Sequence, residues 1–483
     1  MRNLGKASLV CLIVVTLLSC FSPAHAAASE YNLQVALELS TGSPLGQLRA
    51  VPVTIAPDKP KAILLIYCQD AEVDPYVEMF FFPKDTLKLM LVSQTGDIIW
   101  RKELGPGLVP GIWFCPFYPF DLDGDGADEI WFVNNIDDDH PLSHSGRKLE
   151  RLDPRTGKTT GRWPWPAPDR NQSPSHTYRN FILGGYVEHK PILITAHGTY
   201  GPMKLQGRNP DLSLRWEYSI PGNAPGAKGS HMCPIVDINH DGLDEFFWGE
   251  RCIEMDSGKE LFCCDRNVYR GHSDVVQPVL DRKTNRWYIH TCRESTSASP
   301  RVCFFDDTGK RIWGHVDKGH MDMGWTARIG PRGGHVAMAI RIGSKSAGPQ
   351  GFFRKKVEQF TYDAFTGAEH TLDFSVFCTV PVDLNGDGIH ELVRGLAEGN
   401  ADVLDRTGKV LANFGGSVAM ASKFMDLPGE QVLCCYPDGK LRIWVDKNAA
   451  DSPAAIRRYN TRFYRANQQL TATGYNIVNL GGI

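Results

Sequence analysis

Apolar and polar positions alternate in short runs along nearly the whole chain, and a polar turn around Thr-Gly or a close relative interrupts them at intervals. The hairpins so marked are LVSQTGDIIW (91–100), RLDPRTGKTTGRW (151–163), IEMDSGKELF (253–262), FFDDTGKRIW (304–313), TYDAFTGAEH (361–370), VLDRTGKVLA (403–412) and YPDGKLRIW (436–444), with NPDLSLRW (209–216) as a degraded member. Between them lie β-branched and aromatic runs such as ILLIYC, EMFFF, LKLMLV, EIWFV, FILGGYV, EFFWG and WYIHTC, which read as strands. Glycine and proline gather between these runs, as turn residues do. Helical periodicity is confined to 451–469, near the C-terminus. A strand-built unit recurring at roughly 40–60 residues predicts an all-β, seven- or eight-bladed β-propeller. Uneven spacing predicts insertions at 134–180 and 314–355, leaving from loops because blade strands are bonded on both sides.

Set in the same frame are three acidic loops, DLDGDGADE (121–129), DINHDGLDE (237–245) and DLNGDGIHE (383–391). Alternate oxygen ligands on a tight turn converge on a hard cation, and glycine permits the bend. The expected metal ligands are Asp121, Asp123, Asp125 and Asp128; Asp237, Asn239, Asp241 and Asp244; and Asp383, Asn385, Asp387 and Glu391, with His390 standing where the others are acidic. A strand follows each loop, which excludes an EF-hand. The loops resemble those of FG-GAP-like propeller repeats, which implies structural calcium. The alternative is a set of metal-free Asx-turns.

The 483 residues carry a net charge of -3 with Lys and Arg scattered, so no basic stripe points to nucleic acid. Residues 1–26 have a basic start, an apolar core and a small-residue Ala24-His25-Ala26 site, predicting a signal peptide cleaved after Ala26 and a secreted or periplasmic protein. Leu17-Leu18-Ser19-Cys20 alternatively marks a lipoprotein anchored through Cys20. The apolar run is short for a membrane span, and no later stretch suggests one. Residues 27–60 read as a lead-in segment and 61–483 as the propeller, a monomer. Cleavage would leave an odd number of cysteines, most of them expected as buried small apolar residues.

Between 170 and 325 the strand ends carry His176, Tyr178, Arg179, His197, Tyr200, His231, Tyr269, Arg270, His272, Asp274, His290, Cys292, Arg293, His320 and Asp322. A single histidine at such a place is usually structural; so many in one region mark a candidate site. The phrases SHTYRNFILGG, DINHDGLDEFFWGER, YRGHSDVVQP, WYIHTCRES and DKGHMDMGW resemble β-propeller polysaccharide lyases over roughly 60–483. The nearest resemblance is to the ulvan lyases of polysaccharide lyase families 24 and 25, and a more distant one is to the family 11 rhamnogalacturonan lyases. The resemblance implies β-elimination on an acidic, uronate-containing polysaccharide. It implies a histidine pair, His176 and His197, as base and as acid or carboxylate contact, in either order. Tyr269 is the implied tyrosine, with Tyr200 and Tyr178 behind it, and Arg270 or Arg293 would neutralise the carboxylate. Some relatives hold zinc, for which His272, Cys292 and His320 are ligand types. Trp163, Trp165 and Trp325 are candidates for sugar stacking, whereas Trp100, Trp313 and Trp444 read as blade core. Two other classes remain open: a non-catalytic propeller binding glycan or protein, and another propeller enzyme such as a hydrolase, which would need paired carboxylates.

Overall fold

A computed structural model of the chain describes residues 31–76, 79–166, 173–295, 299–348 and 351–483. The predicted signal peptide, Ala26 and Cys20 lie outside them. Eight antiparallel sheets follow one another, spanning 47–103, 117–164, 180–220, 235–263, 272–315, 320–363, 380–413 and 417–446. They are the blades of an eight-bladed propeller. The last blade holds Ser417–Ser422, Gln431–Cys435 and Lys440–Asp446, and takes its outer strand, Leu33–Ser40, from the other end of the chain. Gln47–Val53 is the innermost strand of blade 1. The propeller therefore begins before residue 61, and the segment read as a lead-in supplies two blade strands.

Each blade is an up-and-down meander, so connections between strands one and two and between three and four leave at one end, here the lower face. Connections between strands two and three, and between blades, leave at the upper face. The acidic loops and the hairpins of blades 1 to 7 are thus on the lower face. YPDGKLRIW is the exception: it joins the second and third strands of blade 8, because the fourth comes from the N-terminus, and so turns on the upper face.

The hairpin signature has a packing cause. Trp100, on the outer strand of blade 1, donates from Nε1 to the Pro154 carbonyl in the turn of blade 2 at 2.8 Å. Trp216 reaches Met255 at 2.8 Å and Trp313 reaches Ala364 at 2.7 Å in the same way, each one blade ahead. The glycines of the receiving turns, Gly157, Gly258 and Gly367, have φ of +67°, +69° and +70°, and a Cβ on any of them would collide with the indole. Glycine is required both by the backbone and by the ring lying on it.

The eighth position of each acidic loop also joins blades. Asp128 N donates to the Thr54 carbonyl (2.7 Å), and Thr54 N donates back to Asp128 Oδ2 (2.6 Å). Asp244 and Tyr186 repeat the exchange at 3.2 and 2.8 Å. His390 and Arg328 do so at 3.2 and 3.1 Å, with imidazole Nδ1 as acceptor. Asp128 and Asp244, expected as metal ligands, are committed to the preceding blade. One acceptor is all the position needs, which is why histidine can replace aspartate there.

Residues 453–483 fill the centre of the ring. Helices Pro453–Tyr459 and Arg462–Gln468, capped by Ser452 and Thr461, occupy the predicted helical segment. The tail bonds to innermost strands all round: Arg49 to Ala472 O, Thr473 to Phe117 O, Asn467 to Ile235, and Gln277 to Val478 O. Buried Arg458 pairs with Glu430 at 2.6 Å and donates to the Ile483 and Leu480 carbonyls, while Glu430 also accepts from Tyr464 Oη and Asp383 N.

The insertion expected at 314–355 is present: a hairpin, Ser344–Gly348 and Gly351–Lys355, leaves blade 6 on the upper face, while part of the one expected at 134–180 lies outside the described residues. Of EMFFF, read as a strand, Glu78 lies outside the described residues, and Met79 to Phe82 are instead part of the upper connection of blade 1. All eleven cysteines of the described residues are free thiols, nine of them buried. No helix among the described residues is long and apolar enough to cross a membrane.

Removing one partner of a fully buried ion pair strands the other charge. Arg458→Ala is expected to lower unfolding free energy by about 3–5 kcal/mol in denaturant titration. Gly367→Ala, strained at positive φ and pressed against Trp313, should cost more than about 1 kcal/mol in the same assay.

Candidate functional site

The innermost strands of blades 5 and 6, His272–Asp281 and His320–Ala327, both start at the upper face with a His-x-Asp phrase. Alternate residues of a strand share a side, and a register shift falls within each phrase, re-aiming its side chains. His272, Asp274, His320 and Asp322 are brought together with His231, from the connection between blades 3 and 4, and Glu294, from the second strand of blade 5. Asp274 Oδ1 is 3.5 Å from Nε2 of both His231 and His272. His320 Nε2 lies 3.2 Å from Asp322, 3.4 Å from Glu294 and 3.8 Å from Asp274. Lys345 and Arg354, from the blade 6 hairpin, both hold Asp322.

Two trios sharing Asp274, namely His231/His272/Asp274 and Asp274/His320/Asp322, each place their ligand atoms within 4.8 Å of one another. Nδ1 of His231, both ring nitrogens of His272 and Oδ1 of Asp274 are buried yet make no well-aligned hydrogen bond. Buried donors and acceptors left in this state are a site for a ligand, and imidazole with carboxylate suits a divalent cation. Cys292, expected to complete a zinc set with His272 and His320, is instead buried at strand level beside His290 and the Met338 carbonyl. The residues that join the two histidines are His231 and the carboxylates.

The wall on the side of blades 1 to 3 is aromatic and cationic. The Arg179 guanidinium lies 4.9 Å from the Trp113 ring and 5.2 Å from the Tyr200 ring, with Nη2 on Asp74 at 2.9 Å. Its Nε and Nη1 are buried without a hydrogen-bond partner. The Tyr200 ring lies 4.3 Å from that of His272, tilted by 39°, and its hydroxyl is 3.4 Å from His231 Nε2. From the central tail, the half-exposed Tyr475 ring stands 5.0 Å from both His231 and Trp113 and forms the floor.

Burial pushes the His231 imidazole well below the usual histidine range, and the neighbouring His272 and Arg179 add to this, so it is neutral near pH 7. Burial likewise holds the Tyr200 hydroxyl well above 10, in its protonated form. His320 goes the other way: burial opposes its charge, but hydrogen bonds to Asp274 and Asp322 prevail and raise it to about 10. The site thus pairs a neutral imidazole with a protonated phenol beside a fixed cation.

The structure sorts the residues expected from sequence. His176 is half-buried with its ring 6.3 Å from Tyr200, and burial lowers its pKa. His197 is buried at the upper end of its strand, in register with Asn180. Tyr269, expected as the catalytic tyrosine, is fully buried beneath the site, donating to the His272 carbonyl at 2.6 Å. Arg293 lies 4.0 Å from that ring and is held by Glu250 through both Nε and Nη2, so it braces the fold and is not free to meet a substrate carboxylate. Tyr178 is also structural, bonded to the Leu142 carbonyl at 2.6 Å and stacked on Phe114. Arg270 is exposed. Trp165 and Trp325 are buried with their indole N–H groups bonded to Asn180 and Thr379, and half-buried Trp163 packs on Trp131 in blade 2, so none is a sugar platform. Roles for His231, Arg179, Lys345, Arg354 and Tyr475 were missed. The His-x-Asp phrase repeated at the same blade position was a usable signal for part of the cluster; nothing local in the sequence marks Tyr475.

On the lower face, Gly126, Gly242 and Gly388 N donate to the first aspartate of their loops at 2.9, 3.0 and 3.0 Å. Asp121, Asp123 and Asp125 bring ligand atoms within 4.8 Å of one another. The glutamates closing the loops, Glu129, Glu245 and Glu391, accept from the backbone N of Leu122, Ile238 and Leu384. Burial and the neighbouring aspartates raise Glu129 and Glu245 to about 8. The arrangement suits a cation that would offset this clustered negative charge.

No known protein-family profile matches the sequence. The chain is 28% identical over 272 residues to the rhamnogalacturonan endolyase YesW of Bacillus subtilis (strain 168), a match covering 49% of this chain and 43% of that protein. It is 24% identical over 313 residues to the rhamnogalacturonan exolyase YesX of the same organism, covering 57% of this chain and 50% of that protein. The chain thus spans about half the length of these curated relatives. The crystal structure of YesX superposes with a TM-score of 0.73 at 18% identity, over 92% of this chain and 82% of that one. The rhamnogalacturonan lyase PL11 of Bacillus licheniformis gives 0.70 at 19%, over 92% and 80%. The chain is a homologue of rhamnogalacturonan lyases, the group its motifs placed second, and shares their propeller fold.

Proposed function

We propose that the upper-face site cleaves a uronate-containing polysaccharide of the rhamnogalacturonan type by β-elimination. The observation that supports this best is the convergence of His231, His272, Asp274, His320 and Asp322 from separate blades, in a chain whose relatives are named as such lyases. In the reaction a base takes the proton alpha to the carboxylate, its electron pair forms the C4–C5 double bond, and the C4–oxygen bond breaks with protonation of the departing oxygen. The carboxylate must be neutralised for the carbanion to be bearable. Arg179 and Lys345 supply positive charge on two sides. His231, neutral because it is buried, is suited to accept the proton, and Tyr200 or Tyr475 to deliver one. Asp274, His320 and Asp322, with His272 beside Asp274, would hold a divalent cation that takes the place of the His320 proton and when bound would add a fixed positive charge for the carboxylate, leaving His231 free as the base. A donor set of imidazole and carboxylate without thiolate suits a borderline divalent ion such as zinc or manganese better than calcium. Ulvan offers the same uronate chemistry and is a second substrate to test. A polymeric substrate accords with export of the protein by residues 1–26, to the periplasm or medium. The lower loops we read as structural calcium sites.

The deciding assay follows the ultraviolet absorbance of the unsaturated uronate product on rhamnogalacturonan, ulvan, alginate and glycosaminoglycans, before and after chelation. A rise on rhamnogalacturonan is expected. A folded protein with no rise on any polymer overturns the reading and leaves a binding propeller. His231→Gln and Tyr200→Phe should each lower kcat by about 10²–10⁴-fold, with the thermal midpoint little changed; a collapse in stability would instead show a structural pair. Calcium at one hundred times its Kd should stabilise the protein by about 2.7 kcal/mol per lower loop occupied. In calorimetry, Asp123→Asn with Asp125→Asn should remove the share due to the first loop.

A further inference from the structure

The three acidic loops share one spacing but not one environment. In the first, Asp123, Gly124 and Asp125 are exposed, and in the second Asn239, His240, Asp241 and Gly242 are. A Cβ placed on Gly124 or Gly242 would meet nothing within 4 Å. The third loop is covered. Asp383 is fully buried and Asn385 half-buried. A Cβ on Gly386, the counterpart of Gly124, would lie 2.8 Å from Asp451 Oδ1 and 3.0 Å from the Ala450 carbonyl oxygen.

The cover comes from two directions. In the segment that leaves blade 8 for the central tail, Ala450 N donates to the Asn385 carbonyl at 3.0 Å and Ser452 N to the Gly386 carbonyl at 2.7 Å. From the tail helix, Tyr459 Oη reaches Asp383 Oδ2 at 3.4 Å. From the other side comes Tyr31, just before the strand Leu33–Ser40 that completes blade 8. Its hydroxyl donates to Glu391 Oε1 at 2.8 Å and accepts from Asn385 Nδ2 at 3.2 Å. Asn32 then joins blade 8, its N donating to Asp446 Oδ1 (2.9 Å) and its carbonyl accepting from Lys447 N (3.0 Å).

The phenol oxygen thus lies between the third and ninth positions of the loop. In the first loop the side chains at those positions, Asp123 and Glu129, meet directly, two carboxyls that a cation between them would relieve. In the third loop an amide and a hydroxyl meet that need, and the guanidiniums of Arg458 and Arg328 offset the charge of Asp383. Asp383 Oδ1, buried without a hydrogen bond, still offers a cation one anchor. To gain Asn385 and Glu391 as well, the cation has to expel the hydroxyl. We propose that the third loop is a clasp on the strand that closes the ring, and that the Tyr31 hydroxyl and a divalent cation are alternative occupants of it. Calcium in the first and second loops leaves the closing strand alone, whereas calcium in the third frees its lead-in. The clasp is independent of the chemistry of the upper face.

The test compares the parent with Tyr31→Phe, which keeps the aromatic ring and removes the hydroxyl. Without calcium, amide exchange over Leu33–Ser40 should be about tenfold faster in the variant, the loss of one charge-assisted hydrogen bond, with the other blades unchanged. In calorimetric titration with calcium, the site abolished by Asp387→Asn should bind about tenfold more tightly in the variant than in the parent, because the coupling is reciprocal. Saturating calcium should also speed exchange over Leu33–Ser40 in the parent itself, a reading that needs no variant. Equal affinity in parent and variant, no uptake at the third loop in either, exchange that Tyr31→Phe leaves unchanged, or exchange that calcium slows in the parent, each overturns the clasp.

Discussion

Eight twisted sheets arranged about an axis leave a hole, and the contact on which this molecule depends is the one that closes it: Arg458 on Glu430, buried at the centre of the ring. Through Glu430 that pair reaches Asp383 in blade 7 and Tyr464 of the tail, and through the guanidinium it holds the carbonyls of Leu480 and Ile483. Without the tail, the innermost strands would face water with apolar side chains and unpaired backbone. A buried ion pair is weak evidence of net stability in itself. Its value here is positional, since it sets the path of the segment that ends beneath the site.

The two faces of the ring divide the work. The lower face carries the repeated elements: aromatic rings laid on turn glycines, reciprocal hydrogen bonds from Asp128, Asp244 and His390 to the preceding blade, and loops shaped for cations. The upper face carries what does not repeat. Because the lower face fixes the angle between blades, histidines and carboxylates from blades 5 and 6 and from the connection leading into blade 4 meet within a few ångströms, with the contacts of His320 to Asp322 and Asp274 as the main direct link among them. The scaffold therefore carries the positional cost of a cluster whose own members are poorly satisfied, as sites built for a ligand are.

The architecture was legible because a single interaction writes two sequence signals. An indole at a hairpin end needs a glycine one blade on, so the Trp and the Thr-Gly turn recur together. The site was legible only in part. Tyr269 and Arg293 have the residue types of a catalytic pair, and nothing local reveals that Glu250 claims the arginine. His231 and Tyr475 are separated by just over half the chain and meet only because the ring closes. EMFFF has the composition of a strand, yet Met79 to Phe82 lie on a surface loop, a local conflict between composition and place. Asp128 and Asp244 fitted a calcium motif by spacing, while their real constraint, an acceptor for a neighbour's N–H, became visible through His390 in the same place.

The pairing of Leu33–Ser40 with Lys440–Asp446 also bears on how the molecule is made. The first blade strand to be synthesised waits for nearly the last, so throughout synthesis it is an unpaired edge able to template aggregation. Pairing so distant in sequence is also intrinsically slow. Some four hundred residues separate the two strands, so the last blade, and with it the ring, closes only once the C-terminal strands have been made.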